Sequence, residues 1–226
     1  MDLGDALRST GAVRSFTAEP VDDALLYELL DVARFAPSGG NRQGWRVVVV
    51  KDRDARARLA DAMRPVWNEY VGLSATGKTP FTVVEPSNYE LEATRGGAIP
   101  NALLDGITEV PVVLVVAADL SRVAMMDKDL DRPTITGGAS IYPFCWNLLL
   151  AARARGLGGV ITTFLSRADP VAAPLLGLPG DFALAATMFL GHPVHQPTKL
   201  KRAPVESFAT IDRFDGPAFD GGVIRG

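Results

Sequence analysis

The sequence predicts an α/β protein of the α+β kind: a mixed central sheet with helices on both faces, a loop-rich insertion and an extended C-terminal arm. Three observations predict it. Short, continuously apolar runs recur along the chain and read as buried strands. Between them lie segments whose apolar residues repeat at helical spacing. The chain has 226 residues, 47% hydrophobic and 22% charged, which suits one large core and is awkward for two. Residues 1–226 are therefore read as a single domain.

Taken in order, "PVDDALLYELLDVARFAP" places Leu26, Leu29, Leu30 and Ala33 on one helical face, with Asp22 as its N-cap. The loop "PSGGN" follows. "WRVVVVK" is too continuously apolar for a half-exposed strand, so it is expected at the centre of its sheet. "RDARARLADAMRPVWNEY" distributes charges at helical spacing and predicts a helix with a solvated face. From about Gly72 to Leu104 periodicity is lost; this is read as an insertion forming a lid or an interface. "VPVVLVVAAD" is a second buried strand. The run 138–155 is apolar almost all round, predicting a helix closed by Gly156 and buried by this chain or by a partner subunit. "GGVITTFL" predicts a strand, Ser166 and Asp169 a capping box on a short helix, and "FALAATMFLG" the last strand. The tail from His192 onward, with Pro193, Pro197 and Pro204, reads as an extended arm.

Several chemistries fit poorly. A net charge of -3 with scattered basic residues argues against nucleic acid. The N-terminus is too polar for a signal peptide, and no apolar run reaches about 18 residues; a soluble cytoplasmic protein is expected, without membrane contact. Cys145, alone in an apolar run, reads as a small buried hydrophobe rather than a reactive thiol. A dinucleotide fingerprint needs strand, glycine loop, then helix, whereas "PSGGN" and "GLGG" both follow helices and precede strands. His192 and His195 lie in a proline-flanked turn without partners at metal spacing, so no metal site is expected. A serine triad would have to recruit one of these two histidines. A cofactor bringing its own reactivity accounts for the missing acid–base equipment.

Four stretches in series resemble the FMN-dependent nitroreductase family, which includes the iodotyrosine deiodinases. "AVRSF" is similar to its R-R-S-x-R-x-F signature, and "APSGGNRQGWRVVVV" to its A-P-S-x-x-N-x-Q-x-W followed by a strand. "GLGGVITTFL" resembles the threonine-bearing strand of the deiodinase branch, and "LLGLPGDFALAATMFLGHP" with "KLKRAPVE" the closing segment and basic end. Together they frame most of the chain. The resemblance implies a nitroreductase-like fold, noncovalent FMN, NAD(P)H as transient electron donor, and a homodimer with a flavin at each interface. It also implies ping-pong hydride transfer through flavin N5 to nitroaromatic or quinone-type small molecules.

On that basis Arg14 and Arg202 supply charge to the FMN phosphate, with Ser15 beside Arg14 and Lys199 and Lys201 as helpers. Arginine suits an oxyanion because its planar fork binds bidentately. A solvated basic turn is the competing reading of 199–202. Ser38, Gly39 and Gly40 let the backbone approach the ring, and Asn41 and Gln43 offer amides to its pyrimidine edge; turn chemistry alone would also select these residues. Thr163 is the candidate catalytic residue, a donor to N5 with Thr162 beside it, though both also suit a strand for β propensity. The "PSGGN" loop would serve the partner's flavin. The chain departs from the signature at Thr10, Gly11 and Ala12, where two basic residues and a serine are usual; Arg8 is the nearby substitute. Trp67, Tyr70, Phe81 and Tyr89 are candidates for a pocket roof or for interface packing. A dehalogenase-like reaction and a flavin-binding protein without turnover are the alternatives.

Overall fold

The computed structural model describes residues 1–77, 79–83 and 99–222. Most of the expected insertion, with Tyr89, lies outside them. Among the described residues seven α-helices and four strands are defined: α1 (Leu3–Ser9), α2 (Asp23–Ala33), β1 (Trp45–Val49), α3 (Arg53–Ala75), α4 (Ala102–Asp105), β2 (Val112–Asp119), α5 (Tyr142–Ala154), β3 (Gly158–Thr162), α6 (Phe164–Arg167), α7 (Asp169–Leu175) and β4 (Phe182–Gly191). Among the described residues no helix is long and apolar enough to cross a membrane.

The strands form one sheet in the order β1-β2-β4-β3, and its three pairings are antiparallel. β2 is buried along its whole length. Its side chains divide by the two-residue period of a strand. Val112, Leu114, Val116 and Ala118 face a core shared with α2 and α5, and Val113 and Val115 face one shared with α3, α4, α6 and α7. Helices thus cover both faces, as expected, but the sheet among the described residues is antiparallel throughout and not mixed.

β1 sits at the edge of the sheet, not at its centre. Three of the four valines still have a physical reason; Val49 is exposed. Val47 packs on the α2–α5 core, and Val48 and Val50 on the opposite one. A continuous apolar run reports that both faces are covered and says nothing about the hydrogen-bonding edge.

Helix starts follow local chemistry. Asp22 Oδ1 accepts from Leu25 N at 2.7 Å, and Asp52 Oδ1 from Ala55 N at 3.1 Å, satisfying donors the first helical turn leaves open. The Ser166–Asp169 capping box does not form. Ser166 lies inside α6 and its hydroxyl donates to the Ala185 carbonyl at 3.0 Å, while Asp169 Oδ2 accepts from Leu184 N at 2.8 Å; both side chains tie their helices to β4 instead. The helix expected over 138–155 begins as a 3-10 turn, Thr136–Ser140, and becomes α-helical only at Tyr142. Gly156, with φ +80°, closes it. The solvated helix α3 hides one cation. Arg56 is buried, and its guanidinium donates to the carbonyls of Val50 (2.8 Å) and Val110 (2.6 Å), pinning the end of β1 to the start of β2. Burial pulls its pKa down.

Candidate active site

The site begins where the chain before α2 meets β3. Val13 N donates to the Gly159 carbonyl at 2.9 Å, and Thr17 N to that of His192, also at 2.9 Å. This contact depends on absent side chains. A Cβ on Gly158 would lie 2.6 Å from Val13 Cγ2, and one on Gly159 would lie 2.4 Å from Leu190 Cδ2 and 2.7 Å from the Phe189 carbonyl oxygen. With Val13 turned inward and buried, Arg14 is left outside.

Arg14 lines a cavity of about 490 Å³ together with Thr162, Thr163, Ile161 and Phe189 from the sheet side, Leu103 and Leu104 from α4, and Trp67, Tyr70 and Phe164. Its guanidinium has no acid partner among the described residues. Thr163 follows β3 and is the N-cap residue of α6, its side chain making no capping bond; it is exposed, and its hydroxyl has no partner among the described residues. Thr162 Oγ1 reaches the Thr187 carbonyl only at 3.4 Å.

A second cavity of about 760 Å³ adjoins the first and shares Tyr70, Thr163 and Phe164 with it. Trp67 and Tyr70 stack with centroids 5.9 Å apart, and Phe164 meets Tyr70 edge-on at 6.2 Å. Phe81 continues this wall, with the Arg167 guanidinium 5.3 Å from its ring and held by Glu69 at 2.8 Å. Three of the four aromatic candidates therefore line the cavities beside Thr163. Phe164, Leu103, Leu104 and Arg167 were not singled out from sequence. Phe164 stood within the quoted "ITTFL", and Asn101 before "ALLD" is a legible N-cap, accepting from Leu103 N and Leu104 N. Nothing local marks Arg167.

The other candidates lie elsewhere. Ser38, Gly39, Gly40, Asn41 and Gln43 form an exposed turn before β1. That is the opposite edge of the sheet from β3, three strand spacings or about 14 Å away. Gly40, Asn41 and Gln43 have φ of 60°, 53° and 49°, a left-handed region that only glycine enters freely. One local and one long-range bond hold it: Ser38 Oγ accepts from Gln43 N, and the distant Ser140 Oγ from Gly39 N, both at 3.0 Å. The Gln43 amide donates to Asn41 Oδ1 at 3.2 Å, the turn chemistry weighed above.

Ser15 uses its carbonyl to accept from Val194 N and does not line the cavity. Lys199, Lys201 and Arg202 are exposed on the arm, with Arg202 Nη1 donating to the Lys201 carbonyl. They flank Leu200, whose side chain lies against Gly11. A Cβ on Gly11 would meet Leu200 Cδ2 at 3.0 Å and the Pro197 oxygen at 2.7 Å. The departure at Gly11 thus has a packing reason: the arm occupies the space a side chain would take. Thr10 caps α1, its hydroxyl donating to the Ala6 carbonyl at 2.7 Å. His192 lies 3.4 Å from Glu19. Cys145 is fully buried, and burial pushes its thiol up to about 12, the state of an inert hydrophobe.

Residues 7–192 match the Nitroreductase family model. The nitrobenzene nitroreductase of Ectopseudomonas oleovorans is 29% identical over 203 residues, spanning 84% of this chain and 86% of that protein. The 5,6-dimethylbenzimidazole synthase of Rhodospirillum rubrum is 30% identical over 184 residues, spanning 80% and 77%. Among solved structures, an NADPH:FMN oxidoreductase from Vibrio harveyi, complexed with NAD+, shares the fold with a TM-score of 0.66 at 22% identity, covering 93% of this chain and 76% of that one.

Proposed function

The chain belongs to the nitroreductase family, and from that premise we propose that it is an FMN-dependent NAD(P)H oxidoreductase acting as a homodimer on nitroaromatic or quinone-type acceptors. The observation that carries the reading is that Arg14, Thr162 and Thr163, distant in sequence, line one cavity. Arg14, Thr162 and Thr163 would hold FMN, which would supply the capacity to accept a hydride from NAD(P)H and donate one to the acceptor in alternating half-reactions.

The residues present suit that cofactor. A cavity of about 490 Å³ falls within the usual ligand range of roughly 300–1,000 Å³. Its walls are aromatic and aliphatic, as a flat ring requires. Arg14, with no acid partner among the described residues, is the phosphate ligand, and the exposed Lys199, Lys201 and Arg202, which flank the Leu200 that packs on Gly11, add positive charge to the arm. Thr163, whose hydroxyl is unengaged among the described residues, is the donor toward N5, and Thr162 supports it. No histidine or carboxylate is needed at the reacting atoms, because solvent protonates the product.

The Ser38–Gln43 turn lies too far from Thr163 to serve the same flavin, so its ligand is assigned to a second subunit. Exposed apolar side chains support the dimer. Leu3, Val32 and Phe35 stand on and beside α1 and α2, and Phe208, Phe214 and Phe219 on the arm.

The test is the visible spectrum of the purified protein, followed by NADH and NADPH oxidation with nitrobenzene or a quinone. Flavin bands, FMN released on denaturation, and parallel initial-rate lines are expected. A colourless protein that cannot be reconstituted with FMN overturns the reading; flavin uptake without NAD(P)H oxidation leaves a flavin-binding protein.

A further inference from the structure

The chain between β2 and α5 is organised around one buried carboxylate. Asp127 is 5% exposed. It accepts from Thr134 Oγ1 and Thr136 Oγ1, each at 2.5 Å, from Arg132 Nη1 at 2.6 Å, and from the backbone N–H groups of Ile135 (2.9 Å) and Thr136 (3.3 Å). These hydrogen bonds, that of Thr134 foremost, hold the carboxyl well below the usual carboxylate range. So dense a set of donors around one acid fixes a loop that has no regular secondary structure of its own.

What the loop carries gives the cluster a purpose. Thr136, anchored twice to Asp127, opens the 3-10 turn that ends at Ser140. Ser140 Oγ then accepts from Gly39 N at 3.0 Å. Thr136, Ala139 and Ser140 line one small hollow with Ser38, Gly39 and Met126, the neighbour of Asp127. The Ser38–Gln43 turn, with its positive-φ residues, is otherwise exposed and held mainly by its own bonds.

We infer that Asp127 and Ser140 are positioning residues for the Ser38–Gln43 turn: Asp127 fixes Thr136, the 3-10 turn carries that order to Ser140, and Ser140 holds the Gly39 amide so that the turn is preformed for flavin. The inference rests on the flavin reading above. It concerns the ring-binding turn and not the phosphate, so it predicts a pattern opposite to that of Arg14: loss of FMN and of riboflavin by the same factor.

Ser140→Ala, Ser140→Thr and Asp127→Asn are compared with wild type in two measurements on apo-protein. The first is hydrogen exchange at the Gly39 amide; the second is titration with FMN and with riboflavin. Exchange should rise about fivefold in Ser140→Ala, as for one neutral hydrogen bond lost. Both flavins should weaken by about the same factor, and Ser140→Thr, which keeps the hydroxyl, should restore both readouts. Asp127→Asn places an amide against donors and should act in the same direction more strongly. If that variant does not fold, the two Ser140 variants decide the matter alone. Unchanged Gly39 exchange in Ser140→Ala, or a loss confined to FMN, overturns the inference. Wild-type protein that takes up neither flavin sinks the cofactor assignment itself and the purpose given to the relay, whereas normal uptake by every variant sinks only the positioning role.

Discussion

At the β3 edge, backbone touches backbone because side chains are missing: Gly158 receives Val13, and Gly159 receives Leu190 and the Phe189 carbonyl. At the β1 edge, residues 38–43 stand in solvent, with Gly40, Asn41 and Gln43 in left-handed conformations held by a few hydrogen bonds. The first edge is shaped by close packing, which tolerates little change in volume. The second is shaped by bonds to individual polar atoms, each worth about 1 kcal/mol. Substitutions at the β3 edge should therefore be felt in the fold, and those at the β1 edge in ligand affinity, with Arg14 the exception that lies on the first edge and acts only on ligand.

The hardest blow to this contrast comes at Gly159. In Gly159→Ala the new Cβ meets Leu190 Cδ2 at 2.4 Å and the Phe189 oxygen at 2.7 Å. Overpacking of this kind costs about 1–3 kcal/mol, which for a chain of this size lowers Tm by roughly 2–12 °C. Thermal unfolding followed by circular dichroism reads it; an unchanged midpoint would mean that the edge is not close-packed.

A smaller effect separates Arg14 from the turn. Arg14→Ala removes a charge-assisted contact and should weaken FMN about tenfold to a hundredfold, leaving riboflavin and Tm almost unchanged. Asn41→Gly keeps the positive φ, removes only the amide, and should weaken both flavins about fivefold. Equilibrium titration of the apo-protein measures all four affinities. Equal loss of riboflavin and FMN in Arg14→Ala would remove Arg14 from the phosphate.

The smallest effect is that of acid. In the fold, Thr134 and its neighbours hold Asp127 low, Ser121 does so for Asp119, and Arg64 for Asp105. A depressed carboxyl contributes stability above its unfolded pKa, near 4, and loses it as pH falls through the folded value. These acids therefore leave stability flat down to about pH 5 and erode it only below about pH 4. Protection of the Gly39 amide, with the intrinsic pH dependence of exchange divided out, should persist to about pH 4 and be lost only below it, as Asp127 is titrated. Protection already lost at about pH 6 would disconnect the turn from Asp127.

Much was legible in the sequence because it is local. Asp22 and Asp52 cap helices through donors three residues on. β2 and β4 are apolar because both faces are covered, and Gly156 ends α5 by taking a positive φ. The paired glycines of "GLGG" and the residues of "PSGGN" announce unusual backbone from composition alone. Ser166 misled because a capping box and a tertiary bond to Ala185 use the same hydroxyl. Chain-wide pairing decided the rest. Whether "WRVVVVK" is central or at an edge depends on which strand accepts its second row of hydrogen bonds, and side-chain periodicity carries no record of that row. Nor does any local pattern record that Arg14 and Thr163 line one cavity, that Ser140 holds the Gly39 amide, or that the arm fills the space beside Gly11. Caps, turns and covered faces act over a few residues, and the sequence by itself determined them; the strand order and the shared cavity are contacts between distant segments, and only the tertiary structure decided those.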